Sequence, residues 1–292
     1  MAVVNTNIGA SLAQAALVKN QRALDTAMEQ LSTGSKINSA ADDAAGLAIN
    51  TRLTSQIMGL NMAVSNANDA INMVNTAEGA LVEMENMLQR MRELALQASN
   101  GTTDVNDRTY LDSEYKALYA EIDRIADNTE WNGRTILDNS ADGNASGFVE
   151  FQVGMDTGQV ITVDFGNFTN VSGSGTFADF VSAGATAGTI SATTTSQAQL
   201  KASAAIGSID TALDAISNQR ATLGGVANRL THSVDNLTNI KVNASASRSA
   251  IMDTDYAAST TDLARASIIA QAGTAMLAQA NQLPQTVLAL LQ

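Results

Sequence analysis

The sequence predicts a mainly α fold of long antiparallel helical coiled coils with one small β-hairpin. Three observations carry that prediction: proline occurs once in 292 residues, aromatic residues make up only 4%, and apolar residues recur seven apart in both halves. Scarce proline removes the main helix breaker. Scarce Phe, Tyr and Trp argue against a thick globular core. Sevenfold rows sustained over many turns mark a seam between helices rather than a single globular face.

The elements follow in order. Residues Asn5 to Leu31 carry Ile8, Leu12, Leu17, Leu24, Met28 and Leu31 among many alanines, a helical pattern thin in anchoring bulk. Asp42 and Asp43 then suit a helix N-terminus, where a carboxylate meets the positive end of the dipole. From Ala44 to Ser99 one row runs through Leu53, Leu60, Ala67, Val74, Leu81, Leu88 and Ala95. A second row runs through Ile57, Val64 and Ile71, then continues one position out of step through Ala77, Met84, Met91 and Ala98. Asn100-Gly101 supplies the stop. At ~1.5 Å per residue this helix is roughly 80 Å long.

A shorter helix is expected from Tyr110 to about Ala126, with Leu111, Tyr115, Leu118, Ile122 and Ile125 as its apolar face. Asn132-Gly133 marks a turn. Alternation at Val149, Phe151 and Val153, then at Ile161, Val163 and Phe165, predicts a hairpin about Gly154–Gly158. The stretch 169–196 is small and polar and reads as a surface segment. The C-terminal half repeats the seam through Ile209, Ile216, Leu223, Leu230, Leu237, Ala244 and Ile251, interleaved with Leu213, Ala227 and Val234. Residues Asp255 to Gln292 close the chain as another Ala-rich helix, with Leu263, Ile268, Ile269, Met276, Leu277, Leu283, Val287 and Leu290.

Several function classes fall away. A net charge of −13, from 16 basic and 29 acidic residues, argues against nucleic acid, whose phosphates need clustered Lys and Arg. Absent cysteine removes disulfides, thiolate chemistry and Cys-based zinc sites. The sole histidine, His232, leaves no multi-histidine metal cage and reads as a rim or interface side chain. Neither a His-Glu-x-x-His pair nor a Gly-x-x-x-x-Gly-Lys loop occurs. Asp42-Asp43 and Asp253-Thr254-Asp255 lack the loop and distal Glu of a calcium site and read as caps. No catalytic residue, metal or cofactor is expected, and an enzyme is excluded. No apolar stretch approaches the ~20 residues of a membrane span. The first cation is Lys19, so no cleaved signal peptide is expected.

Ordering either terminal segment costs more backbone entropy than its few aliphatic side chains return by burial. Such helices need something packed against them, and further copies of the same chain are the simplest candidate.

At Leu31-Ser32-Thr33-Gly34-Ser35-Lys36-Ile37-Asn38-Ser39-Ala40-Ala41-Asp42-Asp43-Ala44-Ala45-Gly46-Leu47-Ala48-Ile49 the sequence resembles bacterial flagellin. Three further blocks agree: Leu88-Gln89-Arg90-Met91-Arg92-Glu93-Leu94-Ala95-Leu96-Gln97-Ala98, Trp131-Asn132-Gly133 with Leu137, and Ala278-Gln279-Ala280-Asn281-Gln282-Leu283-Pro284-Gln285. The family usually has Phe where Trp131 stands. The resemblance covers roughly 1–165 and 197–292, without a long variable insertion between the halves.

That resemblance implies a structural subunit that self-assembles into the extracellular flagellar filament for swimming motility. It would be exported unfolded by the flagellar type III apparatus. The implied partners are further copies of the chain, an export chaperone, the filament cap and hook-associated proteins. Residues 1–43 and 246–292 would form a terminal coiled-coil inner domain with connecting segments. Residues 44–168 and 197–245 would form a helical rod with the hairpin, and 169–196 a short variable surface segment. The expected rod seam is Leu53, Ile57, Leu60, Val64, Ile71, Val74, Leu81, Leu88, Ile209, Leu213, Ile216, Leu223, Leu230, Val234 and Leu237. The expected terminal assembly residues are Ile8, Leu12, Leu24, Leu31, Leu263, Ile268, Leu277, Leu283, Val287 and Leu290.

Arg90, Leu94 and Glu114 match a surface that the family presents both to neighbouring subunits and to the host Toll-like receptor for flagellin. Ser172, Ser174, Thr176, Ser182, Ser191 and Thr193 are candidate acceptors of O-linked sugars. The competing readings are a hook–filament junction protein of the same superfamily and a cytoplasmic coiled-coil adaptor.

Overall fold

The computed structural model describes residues 7–138, 148–169, 189–192 and 194–290, apart from the side chains of residues 195 and 283–290. Helix α1 spans Ile8–Thr33, α2 Ala44–Ser99 and α3 Val105–Asn128. Strands β1 (Glu130–Trp131), β2 (Arg134–Thr135), β3 (Phe148–Gln152) and β4 (Val160–Asp164) follow. Helices α4 (Thr195–Met252) and α5 (Tyr256–Leu290) complete the chain. Two compact units emerge, a terminal one of residues 1–58 with 242–292 and a central one of residues 59–241.

In the central unit α2 packs against α3 and α4. Arg92 Nε donates to Asp210 Oδ1 at 2.7 Å, Gln199 Nε2 to the Ser99 carbonyl at 3.4 Å, and Leu60 clusters with Leu237. These pairings run in opposite chain directions, so α2 and α4 are antiparallel. Arg220 bridges Glu78 and Glu85 from the α4 side.

The second seam row differs from the one expected. On α2 the buried row runs through Leu60, Ala63, Ala67, Ala70, Val74, Ala77, Leu81, Met84, Leu88, Met91, Ala95 and Ala98, with Met73 and Leu94 buried beside it. That is an unbroken alternation of three and four steps, and it places Ala63 and Ala70 in the seam while Val64 and Ile71 flank it half-buried. The same correction applies to α4, where Ala198, Ala205, Ala212 and Val226 are buried and Leu213, Ala227 and Val234 are only partly so. Small residues in one row let neighbouring helices approach while Leu and Met in the other fill the volume.

Helix α3 begins five residues before the expected Tyr110 because Asp104 caps it, accepting the Asn106 N–H at 3.5 Å. Arg108, fully buried in its first turn, donates from Nε to the Ala98 carbonyl at 2.9 Å and from Nη2 to the Asn100 carbonyl at 2.8 Å. A guanidinium thus satisfies the orphan carbonyls at the negative end of the α2 dipole.

Asn132 and Gly133 both take positive φ, 53° and 75°, the pairing that a two-residue turn matching strand twist requires; they join β1 to β2. Strands β3 and β4 pair antiparallel from Phe148 opposite Asp164 to Gln152 opposite Val160. Two amides tie this hairpin to the helices: Asn66 Nδ2 donates to the Gln152 carbonyl at 3.1 Å, and Gln219 Nε2 to the Asp164 carbonyl at 2.6 Å. Val163, Phe165 and Phe168 enter the core.

The surface reading of 169–196 needs one correction. Thr169 and Ile190 are buried, and the Ile190 N–H donates to Asp112 Oδ1 at 2.7 Å, which holds Ile190 against α3. Residues 170–188 and 193 lie outside the described residues.

Candidate assembly surface

The terminal unit is built on α1 and α5. Asn7 caps α1 by accepting the Ala10 N–H at 3.0 Å, and its Nδ2 donates to the Ala280 carbonyl at 2.9 Å. Asn20 Nδ2 donates to the Ala266 carbonyl at 2.7 Å. These two crossings fix α1 and α5 antiparallel and set their register. Gly273 of α5 gives way to Leu17, whose Cδ1 stands 2.7 Å from where a Cβ would be.

Between the helices the chain turns under tight control. Gly34, at φ 70°, closes α1 in the left-handed conformation, which glycine adopts at no steric cost. Lys36 N–H donates to the Met252 carbonyl at 2.6 Å and Thr254 N–H to the Gly34 carbonyl at 3.0 Å. Asp43 Oδ1 accepts the Ala45 and Gly46 N–H groups and caps α2, while Asp255 Oδ1 accepts those of Ala257 and Ala258 and caps α5. Asp42 instead holds the preceding loop: its Oδ2 accepts the Asn38 and Ser39 N–H groups and the Ser39 hydroxyl. Those backbone donors, Ser39 first, hold its carboxyl below the usual range.

What the pair leaves open matters more. The buried hydrophobic residues of the pair, among those described, are Ala27 and Ala266, joined by Ile37 of the connecting loop and Ile57 of α2. Ile8 is 68% exposed, Leu12 73%, Ile268 65% and Met276 66%, with Val18, Met28 and Ile269 also exposed. Leu24, Leu31, Leu263 and Leu277 are half-buried; the side chains of Leu283, Val287 and Leu290 lie outside the described set. A groove of about 430 Å³ runs between the helices, lined by Ala23, Ala27, Gln30, Ala266 and Ile269 among others.

The other expected site residues divide. Arg90 Nε donates to Glu114 Oε1 at 2.9 Å and Nη1 to Glu93 Oε2 at 2.9 Å, all three exposed, and the carboxylates raise the Arg90 pKa above its ordinary value. Leu94 is corrected: at 1% exposure it is a core residue. Arg90, Leu94 and Ala98 share one face of α2. Helix α3 is tied to that face at Arg90 through Glu114 and at Ala98 through Arg108, so Leu94 is shut between the ties. Of the seam set, Leu53, Val64, Ile71, Leu213 and Val234 are half-buried and the others buried. His232 is exposed and Ser191 half-buried; Ser172, Ser174, Thr176, Ser182 and Thr193 lie outside the described residues. Sequence reasoning missed Arg108, Asp112 and Ile190, whose only signal was charge on an otherwise amphipathic helix and one isoleucine in a polar tract.

Among the described residues no three of His, Cys, Asp or Glu are placed to hold a metal ion, and no helix is long and apolar enough to cross a membrane. The description for the bacterial flagellin N-terminal helical region matches residues 4–142, and that for the C-terminal helical region matches residues 206–291. Flagellin A of Vibrio cholerae serotype O1 is 36% identical over 380 residues, covering 99% of both chains. The flagellin of Halalkalibacterium halodurans is 41% identical over 290 residues, covering 99% of this chain and all of its own. A solved structure described as a flagellar hook-associated protein from Vibrio parahaemolyticus matches with TM-score 0.56 and 16% identity over 72% of this chain and 99% of its own. That likeness shows the fold alone.

Proposed function

The chain belongs to the flagellin family and is a structural, non-enzymatic subunit of the extracellular bacterial flagellar filament, and from that premise we propose how its parts serve assembly. Copies of the chain cover the apolar faces of α1 and α5 that a single copy leaves open. The observation that supports this is the disparity on those two helices, where, among the described residues, the buried apolar ones are alanines, the leucines are at best half-buried, and Ile8, Leu12, Met28, Ile268 and Met276 are exposed. Residues 1–43 and 246–292 act as the inner assembly domain, 44–168 and 197–245 as the rod, and 169–196 as the variable outer segment. The subunit reaches the tip unfolded through the flagellar type III apparatus, held beforehand by an export chaperone, and is placed between hook-associated proteins and a cap. An element that stays unpolymerised until copies meet suits that route.

Arg90 and Glu114 form the polar part of a surface read by the host Toll-like receptor, with buried Leu94 supporting it rather than touching the partner. O-linked sugars on the serines and threonines of 169–196 are proposed as well; an intact mass equal to the bare chain removes them.

Electron microscopy after acid dissociation and return to neutral pH tests the assembly reading. Unmodified chain should regrow filaments. A Leu12→Asp, Ile268→Asp variant should not, while its central unit melts unchanged; regrowth by that variant overturns the reading.

A further inference from the structure

Methionine is spread unevenly over this chain in a way the assembly reading does not use. Of its 11 methionines, Met84 and Met91 lie in the α2 seam and Met73 beside it, all three buried. Met28 on α1 is 55% exposed and Met276 on α5 is 66% exposed. Both sit on the helices that also expose Leu12 and Ile268. Neither thioether is enclosed by the chain's own core, so a water-borne oxidant reaches both sulfurs as long as the subunit is alone.

We propose that Met28 and Met276 are modification sites at which a hydroperoxide switches assembly off, an inference that rests on the assembly reading above. The thioether sulfur lends a lone pair to the terminal peroxide oxygen. The O–O bond breaks, an S–O bond forms, the transferred oxygen gives up its proton, and the remaining oxygen takes a proton and leaves as water or an alcohol. Sulfur is oxidised by two electrons and the peroxide is reduced by the same two. The product is a polar sulfoxide on a flexible side chain. On a face that must be desolvated against another copy, a polar group without a partner opposes burial. Once the filament has formed, the same two sulfurs are covered and their oxidation slows. The seam methionines are shielded in both states, so oxidation acts on addition of subunits and spares the fold.

The test uses the full chain, hydrogen peroxide as the probe, and a M28L/M276L variant that keeps volume and removes the sulfur. Peptide mass mapping should find Met28 and Met276 oxidised in dilute subunits, protected in filaments, and Met84 and Met91 unoxidised in both. Treated subunits should need a roughly tenfold higher concentration to polymerise, with an unchanged melting profile. Treated M28L/M276L should polymerise as untreated chain does. Unimpaired polymerisation of chain oxidised at both positions overturns the inference, and so does equal loss in treated M28L/M276L, which would place the effect on Met58, Met62 or Met155. If untreated chain forms no filament, the assembly reading itself fails, and that outcome is separate from either.

Discussion

The central unit and the terminal unit are built from the same ingredients, long Ala-rich helices in antiparallel pairs, yet they end with opposite surfaces. In the central unit a third helix and a hairpin close over the α2–α4 pair, and Leu81, Met84, Leu88, Tyr115, Phe165 and Ile216 share one core. In the terminal unit α1 and α5 have, among the described residues, each other, the connecting turns and the adjoining ends of α2 and α4. The difference lies in what surrounds the helices rather than in their own composition. Two amphipathic helices bury one stripe each, and a third layer is needed before large side chains disappear from solvent. One region carries that layer within the chain, and the other must find it in further copies.

Truncating a leucine in each unit breaks the comparison most sharply. Leu88→Ala removes a fully buried side chain from the core and should cost about 2–5 kcal/mol, read as a drop in the urea midpoint of the monomer. Leu12→Ala should leave that midpoint within about 0.5 kcal/mol and instead abolish or slow filament growth. Equal destabilisation by both would mean that the terminal pair already holds a core of its own.

Arg108→Leu is the next largest. It leaves the buried Ala98 carbonyl without its guanidinium donor, while the Asn100 carbonyl keeps the Thr103 N–H, and should destabilise the central unit by about 2–3 kcal/mol. Amide exchange should localise the loss to the α2–α3 turn and spare α1 and α5. A variant that melts with the unmodified chain would show that water serves the Ala98 carbonyl as well.

How much of this could be read from sequence follows side-chain size. Helix α2 ran from Ala44 to Ser99 as expected, and the β3–β4 hairpin fell where alternation placed it, because large apolar residues repeat there without ambiguity. The second seam row was misplaced because Val64 and Ile71 outrank Ala63 and Ala70 by hydrophobicity. The required slip between Ile71 and Ala77 was the sign that the row had been started one residue late. Leu94 was grouped with its exposed neighbour Arg90 because only the packing of α3, a tertiary event, separates them. Arg108 was illegible for the opposite reason: a charge on a helix reads as solvent-facing until the end of another helix is found beside it. On the assembly surface, α1 and α5 were recognisable as under-anchored, whereas the asparagine crossings at Asn7 and Asn20 depend on a register no periodicity specifies.

Titration sharpens the comparison from the alkaline side. Burial, aided by the Asp123 carboxylate, pushes the Tyr119 phenol from its ordinary value of 10.0 up to about 12, and burial raises Tyr115 as well. Between those values the unfolded chain has released the proton and the folded chain still holds it. The unfolded state therefore binds fewer protons, and stability falls as pH rises through that window. Tyr119→Phe should flatten the fall in urea midpoint between pH about 10 and about 12, leaving the part due to Tyr115. An unchanged slope would mean that Tyr119 titrates as an exposed phenol.

The smallest effect belongs to the terminal unit and lies on the acid side. Asp42 is held below its ordinary value of 3.8 by the Ser39 and Asn38 N–H groups. A depressed folded value means that the carboxylate's contribution is present above the unfolded value and disappears as pH falls through the folded one. The loop between α1 and α2 should thus loosen in acid while the alkaline-sensitive core of the central unit stays intact. Asp42→Asn keeps an acceptor oxygen but removes the titration. The protection of the Ser39 amide, corrected for the intrinsic pH dependence of exchange, should be lower in the variant at neutral pH and converge with the unmodified chain as the pH is lowered. Because Asp42 is exposed, solvent screens it and the difference should be modest. Its persistence at low pH would show that the loop is held by the Lys36–Met252 and Thr254–Gly34 backbone bonds alone.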